Sequence, residues 1–106
     1  MGIFSALGKK KQPEFKFTDS ETKACFTCDH VVSGERSIVY VAHDADGDWH
    51  FMCDGDDHTE ENAKIISLKQ AVELDPSVND LYEMPIGVGA VRKSPGERWE
   101  PFRLTE

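Results

Sequence analysis

Ser37-Ile38-Val39-Tyr40-Val41-Ala42-His43, then Asp44-Ala45-Asp46-Gly47-Asp48, then Trp49-His50-Phe51-Met52-Cys53 is the stretch that decides the fold. Its first and third parts are rich in β-branched and aromatic residues, the composition of strands. The part between is polar and carries an Asp-Gly pair, the signature of a two-residue type I′ turn, because both residues tolerate positive φ. With Asp46 and Gly47 as the turn residues, His43 faces His50, Ala42 faces Phe51, Val41 faces Met52 and Tyr40 faces Cys53. That register puts Ile38, Tyr40, Trp49, Phe51 and Cys53 on one face, the expected core.

Downstream, Ala63-Lys64-Ile65-Ile66 predicts a short strand. Ser67 and Gln70 form a capping-box pair that opens a helix running to Leu74, with Leu68, Ala71 and Val72 inward. Asp75-Pro76 starts a second short helix with an Asp cap and Pro at its first position, placing Val78, Leu81 and Tyr82 inward and ending before Pro85. One longer helix from Glu60 to Leu74, capped by Asp57, is the competing reading. Gly87–Arg92 predicts a strand. Ser94-Pro95-Gly96-Glu97 makes a turn, and Arg98–Phe102 returns as its partner, at a sheet edge because Pro101 lacks a donor. The expected fold class is α+β: a mainly antiparallel sheet of two hairpins plus a short strand, with two short helices on one side.

At 106 residues the chain has the length of one domain. Residues 1–23 are expected to be a flexible N-terminal arm and residues 24–106 a single domain. Ile3, Phe4 and Leu7 stand at helical spacing ahead of Lys9, Lys10 and Lys11, a short amphipathic turn that a membrane surface could hold; a frayed tail is the plainer reading. No apolar run approaches the roughly 20 residues of a transmembrane helix. Three cysteines are too few, and odd, for a disulfide scaffold, so a reduced, cytoplasmic setting is expected.

The formal net charge of −8 is unevenly spread. Residues 1–23 carry +2, residues 24–62 carry −9 with Arg36 as their one base, and residues 63–106 carry −1. The overall acidity argues against nucleic acid, whose phosphates need a basic face. The acidic residues Asp44, Asp46, Asp48, Asp54, Asp56, Asp57, Glu60 and Glu61 are the candidate partner-binding set, a face that would steer and hold a basic protein. Trp49, His50 and Trp99 would supply aromatic anchors there, unless the tryptophans are core. Asp44–Asp48 is not a calcium EF-hand loop: the sixth and twelfth positions counted from Asp44 hold Trp49 and Gly55, where Gly and Glu are needed.

Cys25-Phe26-Thr27-Cys28-Asp29-His30 holds a Cys-x2-Cys spacing, half of a zinc site, since two thiolates so placed can share one ion from a tight turn. The candidate ligands are Cys25, Cys28, His30 and Cys53, with His58 as an alternative to His30. Buried, inert thiols are the simpler reading. A redox pair is disfavoured because Val31-Val32-Ser33-Gly34 does not look like the helix such motifs open. No nucleophile elbow, phosphate loop or dinucleotide fingerprint is present, so no catalytic residues are assigned and an enzyme is not expected.

Trp49-His50-Phe51, Asp75-Pro76-Ser77-Val78 and Pro85–Arg92 together resemble a bacterial family of small proteins, part of which is predicted to be immunity proteins of polymorphic toxin systems (the immunity-protein-thirty-three-like group). The shared pattern is an aromatic strand with Trp, an acidic loop, a helix ending in Asp-Pro-Ser-aliphatic and a Pro-x-Gly strand carrying Arg. It covers about half of the chain, and Cys25–His30 with Cys53 departs from it. The resemblance implies a non-enzymatic protein-binding domain whose partner is a basic toxin, without a cofactor. The alternative is a small zinc-binding domain.

Overall fold

The structure, a computed structural model, describes residues 14–55 and 58–104. It is an α+β arrangement around a six-stranded mixed sheet. The strands are β1 (Ala24–Cys28), β2 (Tyr40–His43), β3 (Trp49–Met52), β4 (Ala63–Ser67), β5 (Val88–Val91) and β6 (Glu100–Arg103). Helix α1 (Asp29–Val32) follows β1, and α2 (Leu68–Leu74) follows β4. Glu60–Asn62 and Pro76–Leu81 are 3-10 turns. No helix of the described residues is long and apolar enough to cross a membrane.

The sheet order is β4-β1-β3-β2-β5-β6. Neighbours are antiparallel except β1 and β3, which run parallel with Phe26 opposite His50 and Thr27 opposite Phe51. The sequence expectation held no strand at Ala24–Cys28. Those five residues have one aromatic and one β-branched member, too weak a pattern to announce a strand. Tertiary pairing on both sides makes it one. The expectation that Val31–Gly34 is not helical also fails at its start: Asp29–Val32 forms one helical turn, closed by Gly34 at φ 83°.

The β2–β3 register is shifted by one residue from the expected one: Tyr40 faces Met52, Val41 faces Phe51, Ala42 faces His50 and His43 faces Trp49. The cause is the loop. Asp44 N–H donates to the Asp48 carbonyl, and Gly47 N–H donates to the Asp44 carbonyl. Gly47 has φ 86°, while Asp46, like every other described non-glycine residue, has negative φ. This is a three-residue loop, a type I turn followed by a left-handed glycine, and not a type I′ turn. A slip of one on one strand exchanges Tyr40 for Val41 on the face shared with Phe51. Val41 is accordingly fully buried and Tyr40 only half-buried.

The core lies on the sheet face bearing Cys25, Val41, Trp49, Phe51 and Ile66. Val31 of α1, Leu68, Ala71 and Val72 of α2, and Val78 of the 3-10 helix join the same cluster, so the helices cover that one face. Burying a side chain such as Phe51 contributes about 2–3 kcal/mol. The local helix signals hold: Ser67 Oγ accepts from Gln70 N–H, and Asp75 Oδ1 accepts from Ser77 N–H. Tyr82 is exposed instead of inward. Strand β6, with Pro101, lies at the sheet edge.

The arm expectation is corrected for its described part. Phe17 is buried edge-on against Trp49, with ring centres 5.0 Å apart. Trp49 Nε1–H donates to Asp19 Oδ2 (2.9 Å), and Asn79 bonds the backbone of both Glu14 and Lys16. Residues 14–23 are therefore strapped to the domain. The amphipathic pattern of Ile3, Phe4, Leu7 and Lys9–Lys11 lies outside the described residues.

Candidate metal centre

Parallel pairing brings the C-terminal ends of β1 and β3 side by side. Cys28 closes β1 and Cys53 follows β3, each almost wholly buried. Their Sγ atoms are 3.7 Å apart. One helical turn after Cys28 places His30 Nδ1 3.9 Å from Cys53 Sγ, and the chain leaving β3 returns His58 Nε2 to 3.2 Å from it. Donor atoms of Cys28, His30, Cys53 and His58 all lie within 4.8 Å of one another.

These separations suit a tetrahedral ion. Zinc–sulfur bonds near 2.3 Å set two sulfurs about 3.7 Å apart and a sulfur and a nitrogen about 3.5 Å apart. Both thiols are buried and both imidazoles half-buried. Burial pushes the Cys28 thiol up from its ordinary value; an ion would replace that proton. Arg36 Nη1 lies 3.8 Å from Cys53 Sγ, and the Asp29 carboxylate lies 3.6 Å from His30 Nδ1. Asp29 also accepts from Asn62 Nδ2, tying α1 to the segment after His58.

Of the sequence candidates, Cys28, His30 and Cys53 come together and Cys25 does not. The reason is β1 itself. Cys25 and Cys28 stand near opposite ends of the extended strand, three steps or about 10 Å apart. Cys25 Sγ–H instead donates to the Lys23 carbonyl at 3.5 Å. His58 completes the four together with His30, not in place of it. The signal was present as two short Cys–His pairs, Cys28 with His30 and Cys53 with His58, which the Cys-x2-Cys spacing obscured.

Among the described residues, the acidic candidates do not form one patch. Asp44, Asp46 and Asp48 gather at the β2–β3 loop, with carboxylate oxygens within 4.8 Å of one another. Asp44 Oδ1 accepts from the Asp46 and Asp48 N–H groups, and Oδ2 meets His50 Nε2 at 2.7 Å. The His50 contact, first, holds the Asp44 carboxyl below its ordinary range. Asp54 is exposed at the other end of β3, beyond its four extended residues, and Glu61 is exposed in the 3-10 turn Glu60–Asn62. Asp56 and Asp57 lie outside the described residues. Trp49 is core, and Trp99 packs beneath the Arg92 guanidinium, 4.2 Å from its ring centre.

A scan against protein-family models and searches of curated proteins and of solved structures found no match.

Proposed function

We propose that the chain is a small zinc-binding domain in which Cys28, His30, Cys53 and His58 hold one ion. The observation that carries this reading is the convergence of four donors from three separate segments within 4.8 Å. Four protein donors make a closed, structural site that leaves no open position for a substrate, so the reading is non-enzymatic. The ion would tie the ends of β1 and β3 to α1 and to the loop carrying His58. Elemental analysis of protein purified without a histidine tag should give about one zinc per chain, and a chelator should lower the melting temperature, because structural zinc contributes folding energy directly. Less than about 0.2 zinc per chain with unchanged melting in chelator overturns it. His58→Ala should lose the ion and Cys25→Ala should keep it.

A second reading, binding of a basic protein partner in the manner of an immunity protein, is supported by the −9 charge of residues 24–62 and the clustered Asp44, Asp46 and Asp48. Its test is binding of the neighbouring gene's product at low and high salt. Affinity that falls with salt and with Asp46→Asn/Asp48→Asn supports it. No binding at low salt overturns it.

A further inference from the structure

Two of the four donors are thiols, and their sulfurs are already in contact. The Sγ atoms lie 3.7 Å apart, and a disulfide would close that separation to about 2.05 Å.

The two thiols are also unequal. Cys53 lines a cleft of about 410 Å³ together with Tyr40, Met52, Asp54 and His58, which gives a small molecule a route to it. Arg36 Nη1, His58 Nε2 and His30 Nδ1 stand 3.8, 3.2 and 3.9 Å from its sulfur. Cys28 is fully buried behind it and does not line that cleft. The third thiol, Cys25, is fully buried and bonded to the Lys23 carbonyl.

We propose that Cys28 and Cys53 are a thiol-oxidation site for a small peroxide, closing to a reversible disulfide. Release of the ion follows from this where zinc is bound, and that consequence alone rests on the zinc reading. The Cys53 sulfur attacks one peroxide oxygen. The S–O bond forms, the O–O bond breaks, and the departing hydroxide takes a proton and leaves as water. The Cys28 sulfur, having lost its proton or its metal, then attacks the Cys53 sulfur. The S–S bond forms, the S–O bond breaks, and a second water leaves. Two electrons pass from the two sulfurs to the peroxide. The ion loses both thiolate ligands and keeps only two imidazoles, too few to hold it. A dithiol reductant reverses the bond.

The experiment treats the full chain, zinc-loaded and chelator-stripped, with hydrogen peroxide. Alkylation, peptide mass mapping and a colorimetric zinc assay follow. The expected result is a Cys28–Cys53 link in both samples, one zinc released per link in the loaded one, and recovery of both thiols and zinc binding after dithiothreitol. Cys25→Ala should form the link at unchanged yield. A link through Cys25, or oxygenated Cys53 with no link, overturns the proposal. If the untreated chain holds no zinc yet the stripped sample forms the link, the zinc reading fails and the oxidation site stands. If the loaded chain holds zinc and neither sample links, the oxidation site fails alone.

Discussion

Arg92 Nη2 lies 2.6 Å from Asp75 Oδ2, joining the residue after β5 to the cap of the Pro76–Leu81 helix. The arginine side chain is 1% exposed, and every nitrogen is used: Nε and Nη2 donate to the Ile38 carbonyl and Nη1 donates to Ser77 Oγ. Removing one partner of a buried pair leaves an uncompensated charge, at a cost of about 3 kcal/mol. Arg92→Met and Asp75→Ala should each lower urea-unfolding stability by about that amount, and the double variant by less than their sum. Arg92→Lys should not restore it, because an ammonium cannot reproduce the planar fork.

Gly89 of β5 is flanked by Ala42 of β2 and Phe102 of β6. A Cβ there would stand 2.7 Å from Phe102 Cζ and 3.0 Å from the Val41 carbonyl oxygen. The ring can swing away, but the β2 backbone cannot. Gly89→Ala should cost about 1–3 kcal/mol in chemical denaturation. Adding Phe102→Leu should recover only the part owed to the ring.

Asp44 makes the acid side of the stability curve predictable. Its folded carboxyl lies below the ordinary 3.8, chiefly through His50, so its contribution is present above that value and fades as pH falls through the folded one. Asp44→Asn should be less stable than the parent near neutral pH. The two melting curves should converge in strong acid. A constant gap down to the lowest pH would show that the loop gains nothing from the charge.

Cys25 governs the opposite limb. Burial pushes its thiol up to about 12 from 9.0. Its contribution is therefore intact below pH 9 and lost as pH rises from there towards 12. Cys25→Ala should flatten alkaline destabilisation. In the native chain at pH 8, iodoacetamide should leave Cys25 unlabelled until denaturant is added.

Asn79 latches the strap ahead of β1, accepting from Lys16 N–H at 3.0 Å and donating to the Glu14 carbonyl at 2.6 Å. Asn79→Ala should speed hydrogen exchange at the Lys16 amide and cost about 1–3 kcal/mol, the usual loss when a buried polar partner is removed.

Features set within a few residues were legible in the sequence. The Ser67 and Asp75 caps, the Gly96 turn and the edge position of Pro101 all follow from local backbone chemistry. Long-range relations were not. Ala24–Cys28 is a strand because β3 and β4 flank it, and its own five residues do not say so. The β2–β3 register turned on whether Asp46 joins Gly47 at positive φ or leaves the bend to Gly47 alone, one residue's φ. Three of the four clustered donors, Cys28, His30 and Cys53, were visible in the sequence. That His58 joins the same cluster as His30, and that Cys25 stays out of it, needed the parallel pairing of β1 with β3.

That pairing also sets the order in which the chain can fold. β1 is the first strand in sequence, yet both of its neighbours, β3 and β4, come later, the second ending at Ser67. During synthesis Ala24–Cys28, with two thiols and an aromatic ring, waits unpaired until β3 emerges and half-paired until its antiparallel neighbour β4 follows. Such waiting segments are slow to place and exposed to mispairing between nascent chains.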